Sequence, residues 1–391
     1  MPQYSERVNW IAGAGAAAWD IHSKAVQASK TDPDVLVLSV GDPDFDTPTP
    51  IVERAVQALR AGDTHYAEVR GREPLRRAIA DQMNRLGGPS YGPDNITCLA
   101  GTQNALFASS LCLFSAGDEV IVLDPMYVTY EAFLQVSGAK IVRVPCDEET
   151  GFRPMASRIA AAVTSKTKAI AFSNPNNPTG VVFTRDQVEA IADIARDHDL
   201  WVLSDEVYGP LTFDKPHVAI AGLPDMAERT VTVSGLSKSH AMTGWRVGWV
   251  AGPTEFADHV DNLALCMLYG LPGFIQEAAT LALNTVDDAV SHMRDMYRAR
   301  RDLVAAALND VPGLDVVVPD AGMFVLVDVR GTGRTALEFS RDLYDAKKVS
   351  TLDGGAFGAN AAGFIRLSFA RREDELSHAC GRIADFVAEI A

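Results

Sequence analysis

Along this 391-residue chain the hydrophobic positions fall into two alternating patterns. Short β-branched runs read as buried strands, and between them apolar positions recur every three to four residues, as on amphipathic helices. The short runs predict strands at Val35–Val40, Ile96–Leu99, Glu119–Leu123, Lys140–Val144, Thr167–Phe172 and Thr230–Val233. Further strands are expected before Asp205, near Phe324–Asp328 and at Phe364–Phe369, and Trp245–Ala251 is another apolar run. Helical periodicity covers Ile51–Arg60, Leu75–Arg85, Ala105–Leu113, Arg185–His198, Ala336–Asp345 and Glu373–Ile390, with another helix near Pro154–Ala162. The chain also looks helical from Ser5 towards residue 30. Glu255–Asn284 is a long helical pattern broken at Gly270 and Pro272, and Ala289–Asn309 is amphipathic, with Arg294, Arg298 and Arg301 on its charged face. Strands alternating with helices imply an α/β fold with a mostly parallel sheet, whose ligands bind at the carboxyl ends of the strands.

Chemistry concentrates where those strands end. After Thr230–Val233 comes S-G-L-S-K-S-H-A-M-T-G-W-R-V-G, in which Lys238 sits among Gly235, Ser237 and Ser239, eight positions before Arg246. Small neighbours and apolar flanks desolvate such a lysine, lower its pKa and leave a neutral amine able to attack a carbonyl. The strand before Asp205 runs into Glu206-Val207-Tyr208; an acid at that place can also be a simple helix cap. From Ser173 to Gly180 two X-Pro bonds and a glycine make a rigid loop able to hold the Asn177 amide. Ala100-Gly101-Thr102 leads into a helix, where free N–H groups and the helix dipole suit an anion. Arg366 interrupts an apolar strand, and a buried guanidinium demands an anion, either a structural carboxylate or a ligand. Gly13-Ala14-Gly15 has no preceding strand and no third glycine, so it is not a dinucleotide fingerprint.

In this order and at these separations, the lysine stretch, the Asn-Pro loop and the strand-end D-x-x-Y resemble the class I/II aminotransferases, which are pyridoxal-phosphate enzymes of fold type I. The resemblance runs by motif from about Val35 to Ser368. It implies a large domain, residues 46–284, with a seven-stranded mostly parallel sheet, and a smaller α/β domain formed by residues 1–45 and 285–391. It gives Lys238 the cofactor aldehyde and the proton transfer, Asp205 the pyridine nitrogen, and Asn177 and Tyr208 the phenolic oxygen. Tyr127 would stack on the ring, while Gly101, Thr102, Ser237 and Arg246 would hold the phosphate. Tyr66 would reach the phosphate of a neighbouring subunit, which implies a homodimer. Arg366, Asn177 and the backbone of Gly41 would bind the substrate carboxylate. Some relatives carry a phosphate-binding serine three residues before the lysine. This chain has Gly235 there, with Ser234 and Ser237 as possible substitutes.

Four stretches, T-H-Y-A-E-V-R-G (64–71), M-Y-V-T-Y-E-A (126–132), S-K-S-H-A-M-T-G-W-R-V-G-W-V (237–250) and N-L-A-L-C-M-L-Y-G (262–270), resemble more narrowly the arginine–pyruvate transaminases. Aspartate-type relatives often take a second arginine from the segment matching 255–284, and this chain has no basic residue there. For a guanidinium side chain, Trp19 offers a stacking face and Asp20 a carboxylate, with Glu68 as the other candidate acid. Aspartate, alanine or aromatic specificity, or β-elimination on the same fold, are the alternatives.

Charge narrows the partners. A net charge of −16 disfavours nucleic acid and anionic membranes, so an anionic cofactor depends on local bases such as Lys238 and Arg246. Residues 1–45 have neither the charge nor the length for a DNA-binding module. The five scattered cysteines read as buried, reduced thiols of a cytoplasmic protein. No metal-ligand cluster, apolar leader or membrane-length apolar run is expected.

Overall fold

The computed structural model describes residues 3–5, 7–11, 19–285 and 287–390. The Gly13-Ala14-Gly15 stretch lies outside them. Helices α1 (Arg7–Ile11) and α2 (Trp19–Ser29) precede a two-residue strand, β1 (Leu36–Val37), and helices α3 (Thr49–Arg60) and α4 (Glu73–Arg85) follow. Strands β2 (Ile96–Leu99), β3 (Glu119–Asp124), β4 (Lys140–Pro145), β5 (Thr167–Ser173), β6 (Trp201–Asp205), β7 (Thr230–Gly235) and β8 (Gly248–Ala251) form one sheet, in the order β2-β8-β7-β6-β5-β3-β4. Only β8 runs against its neighbours β2 and β7; the other pairings are parallel. Helices α5 (Thr102–Leu113), α6 (Tyr130–Val136), α7 (Ala156–Ala161) and α8 (Arg185–Asp197) connect these strands. Strand β7 is buried at every position, as expected of a strand covered on both faces.

After β8 come α9 (Thr254–Met267), α10 (Gly273–Thr285) and the long α11 (Asp287–Asn309). A second, antiparallel sheet follows, from β9 (Asp315–Val317), β10 (Phe324–Asp328), β12 (Leu352–Asp353) and β13 (Phe364–Ser368), in the order β12-β13-β10-β9. Helix α12 (Ala336–Lys347) leads to β11 (Val349–Ser350), which pairs in parallel with β1, and α13 (Glu373–Ile390) ends the chain. The expected strand Val35–Val40 is thus only β1, because beyond Val37 the chain makes single hydrogen bonds: Leu38 N–H to Ser350 and Ser368 N–H to the Leu38 carbonyl. Within the apolar run Trp245–Ala251 the strand β8 starts at Gly248, since Thr243–Trp245 is a 3-10 turn and Arg246 is left-handed (φ +56°). Cys98, Cys146 and Cys380 are buried, but Cys112 is half-buried and Cys266 is exposed on α9. Among the described residues no helix is long and apolar enough to cross a membrane.

Register brings the chemistry together. Asp205 pairs with Ser173 on one side and Val233 on the other, so the 173–180 loop, Asp205 and the lysine loop leave the sheet side by side. At its other end Leu99 pairs with Gly248, which sets the Gly101–Thr102 turn beside Arg246.

Candidate active site

A cleft of about 280 Å³ opens over these strand ends. On its floor the half-buried Lys238 donates from Nζ to the Gly41 carbonyl at 2.6 Å. Burial pulls its pKa down to about 8, helped by Arg366 and Arg246 and opposed by Asp42. Asp205, 5% exposed, lines the same floor. Burial pushes its carboxyl up to about 7, against the pull of the Val207 N–H and the Tyr130 hydroxyl, which donate to it at 3.2 and 3.3 Å. Asn177, Tyr208 and Tyr127 complete the walls, and burial raises the pKa of both tyrosines.

Arg366 enters from β13, flanked in register by Leu326 and Leu352. It is buried, with Phe324 and Phe357 rings 4.7 and 4.6 Å from its guanidinium carbon. Nη1 donates to the Asn177 side chain (2.9 Å) and Nη2 to the Ser39 carbonyl (3.0 Å), while Nε has no partner. Among the described residues no carboxylate pairs with it, and burial lowers its pKa to about 10. Arg246 reaches across the opposite end, donating to the Thr243 and Ala100 carbonyls. It passes where a Cβ on Gly101 (φ +86°) would stand 2.2 Å from Nη2, so only glycine fits there. Thr102 opens α5 beside it, and its buried hydroxyl has no hydrogen-bond partner. Ser237 lines this end too.

Three of the expected residues do not line this cleft, one of them, Tyr66, having been expected at a neighbouring subunit's instead. Asp20 is exposed and off the cleft wall, although Trp19 lines it. Adjacent residues on a helix point about 100° apart, so turning Trp19 inward turns Asp20 away. Tyr66 is 85% exposed and packs on Tyr269 with ring centroids 4.7 Å apart, outside this chain's own cleft. Glu68 is exposed as well. Of the two serines offered in place of a residue at Gly235, Ser237 lines the cleft whereas the Ser234 hydroxyl turns to the Glu206 carbonyl (3.5 Å). Sequence reasoning missed Asp42 and Gln103 on the wall, and the Tyr130 bond to Asp205. Asp42 had a signal, since it directly follows Gly41.

The family described as aminotransferase class I and II matches residues 33–383. The chain belongs to it. An arginine–pyruvate transaminase of Pseudomonas aeruginosa is 52% identical over 388 residues, covering 99% of both chains. An aspartate aminotransferase of Pyrococcus abyssi is 38% identical over 91% of this chain and 92% of its own. Among solved structures, aspartate aminotransferase from Thermus thermophilus with maleate superposes with a TM-score of 0.92 at 34% identity, covering 98% of this chain and 100% of that one. The protein is therefore a transaminase of fold type I, and pyridoxal phosphate is the cofactor of its family.

Proposed function

We propose that this cleft binds pyridoxal phosphate through the residues described above and moves the amino group of L-arginine to pyruvate. One observation carries the reading: Lys238, Asp205 and Arg366 meet in one cleft, and none has an ion-pair partner among the described residues. The lining suits the cofactor on the same grounds. The unpartnered Thr102 hydroxyl, the start of α5, Ser237 and Arg246 form an anion seat at one end. Asp205 is a buried carboxyl awaiting a cation, as the protonated ring nitrogen would be.

When bound, pyridoxal phosphate supplies an aldehyde that condenses with amines and a ring that takes up the electrons of a broken Cα–H bond. The chain does the rest. Lys238 Nζ, with its lowered pKa, is available as a neutral base to take the proton from the substrate Cα. Asp205, its carboxylate fixed by Tyr130 and the Val207 N–H, would keep the ring nitrogen protonated. Asn177 and Tyr208 would hold the phenolic oxygen, and Tyr127 would pack against the ring. Arg366 grips the substrate carboxylate, which leaves Cα–H rather than the carboxylate as the bond to break. That favours amino transfer over decarboxylation.

Arginine as donor rests on the Pseudomonas relative and on the rim of the cleft. Trp19 offers a stacking face there, and among the described residues Asp42 is the only carboxylate lining the cleft besides Asp205. Asp42 thus takes the part first assigned to Asp20. The exposed Tyr66–Tyr269 pair supports a homodimer in which Tyr66 completes the neighbour's phosphate seat. The β1–β11 pairing supports a division into a large unit, 46–284, and a small one formed by 1–45 and 285–391. A half-reaction screen tests the donor: each amino acid is mixed with the holoenzyme and loss of the cofactor's visible absorbance is timed. Arginine should outpace aspartate; a faster aspartate reaction removes the arginine assignment and leaves the aminotransferase intact.

A further inference from the structure

Between β1 and α3 the chain runs as an irregular strap, residues 38–48, of which Val40, Gly41 and Asp42 line the cleft. Two of its carbonyls hold the two cationic side chains on the floor: Ser39 accepts from Arg366 Nη2 at 3.0 Å, and Gly41 accepts from Lys238 Nζ at 2.6 Å. Backbone hydrogen bonds fix its first residue, Leu38, to Ser350 and Ser368, and side chains hold the stretch that follows. At its start, the Ser39 hydroxyl bonds His22 Nδ1 (2.9 Å) and the Ser350 hydroxyl (3.0 Å). At its end, Thr47 donates to the Ala241 carbonyl (2.6 Å) and accepts from Trp245 Nε1 (3.0 Å), which ties it to the lysine loop. Between these anchors stands one ion pair, Arg300 Nη1 on α11 with Asp44 at 2.7 Å. Arg300 is buried, its guanidinium 5.1 Å from the Phe45 ring and 5.8 Å from the Tyr297 ring, and its Nε has no other partner. Phe45 in turn meets Tyr297 edge-on at 5.6 Å.

We infer that Asp44 and Arg300 are positioning residues that hold the strap so that the Ser39 carbonyl occupies Arg366 until the substrate carboxylate arrives, and the Gly41 carbonyl holds the Lys238 amine whenever it is not joined to the cofactor. The inference rests on the proposed roles of Lys238 and Arg366, but not on the identity of the donor. The strap carbonyls are acceptors for charged donors, so they keep two desolvated cations hydrogen-bonded in the absence of an anion. A substrate carboxylate replaces the first contact. The second gives the amine a fixed resting place close to the reacting carbon whenever it is not joined to the cofactor. Misplacement of the strap by a fraction of an ångström therefore alters the base, although neither Asp44 nor Arg300 lines the cleft.

The test uses the full-length protein with Asp44→Asn, Arg300→Lys and the charge-preserving Asp44→Glu. The first readout is the single-turnover rate of the holoenzyme with L-alanine. The second needs no cofactor: the pH dependence of Lys238 acetylation in the apoenzyme, followed by peptide mapping. The charged groups acting on Lys238 are Asp42, which is itself on the strap and moves with it, and Arg366 and Arg246, which lie off it; none of the three is substituted in these variants. Asp44→Asn and Arg300→Lys should slow the half-reaction roughly 10-fold, in line with small misplacements of a reacting group. They should also move the acetylation midpoint to lower pH, because the ammonium loses an acceptor that favours its charged form. Asp44→Glu should stay close to wild type in both. If Asp44→Asn or Arg300→Lys leaves rate and midpoint at wild-type values, even with a lowered melting temperature, the pair is only structural and the inference falls. Absence of any half-reaction in the wild-type holoenzyme would instead overturn the reading of the cleft, and the acetylation midpoint would still decide the strap.

Discussion

Two regions of the cleft differ in how their charges are held. On the floor, Asp205 and Arg366 are buried and Lys238 is half-buried, and burial drives all three towards the neutral form: Lys238 down to about 8, Arg366 down to about 10, Asp205 up to about 7. On the rim, Asp42 and Arg246 are exposed and Trp19 is half-exposed. Charges on the floor are strained by the lack of partners, so a ligand that restores those partners is bound and activated by the same contacts. Charges on the rim are screened by water, so they act more weakly, Arg246 on the cofactor's phosphate and Asp42 on the substrate side chain in the proposed reading. In that reading the floor sets the reaction, and Asp42 and Trp19 on the rim set the substrate.

The largest break in this contrast is at Lys238. Lys238→Ala removes the amine that joins the cofactor and the base together, and turnover should fall by at least about 10⁵-fold. Cofactor should still bind non-covalently, because the phosphate seat is untouched. Borohydride reduction of the wild type followed by peptide mapping checks the attachment, and label on any other lysine removes Lys238 from this role. Next in size is Asp205→Asn, which keeps volume and removes the charge facing the ring nitrogen. Single-turnover rates should drop by about 10³-fold, or about 4 kcal/mol of barrier, with cofactor retained. An Asp205→Asn enzyme of near-normal rate would reduce Asp205 to a cap.

The rim gives a smaller and selective effect. Asp42→Asn should weaken arginine use by about 2 kcal/mol, roughly 30-fold in kcat/KM, because a guanidinium loses its carboxylate. Alanine, with no charge to satisfy, should be used as before. Equal losses on arginine and alanine would move Asp42 from the rim's task to the floor's, through its effect on Lys238.

How legible each region was follows the same division. The floor residues lie in stretches where the local sequence is itself the signal: a lysine among small residues, an acid at a strand end, an arginine inside an apolar strand. Their convergence depends on sheet register, and alternating strands and helices fix that register almost uniquely. The rim was less legible because its residues come from helix starts and turns, where one position decides which way a side chain faces. Asp20 falls off the cleft wall for that reason, whereas Asp42 lines it. Tyr130 was hidden differently: its hydroxyl reaches Asp205 from α6, a short helix that hydrophobic periodicity does not resolve. The Asp44–Arg300 pair spans 256 residues of sequence, a separation at which a single chain carries no pairing signal.

The smallest effect sharpens the border between floor and rim, at the phosphate seat. Gly235 occupies the position where some relatives have a serine, and one remedy would be to restore it. The geometry argues against that. A Cβ on Gly235 would stand 2.7 Å from the Val247 carbonyl oxygen and 2.8 Å from the Thr102 hydroxyl, with Gly248 Cα at 3.2 Å. Two of these neighbours are backbone atoms of the β7–β8 pairing and cannot swing aside, so Thr102 would have to yield. Thr102 is the first residue of α5 and lines the seat with a buried, unpartnered hydroxyl, so pushing it weakens what the serine was meant to strengthen. Gly235→Ser should therefore lose about 1 kcal/mol of stability from overpacking. It should also bind pyridoxal phosphate a few-fold more weakly, measured by fluorescence titration of the apoenzyme. Tighter cofactor binding in Gly235→Ser would mean that the seat is incomplete in this chain, and that Thr102, Ser237 and Arg246 do not by themselves replace the missing hydroxyl.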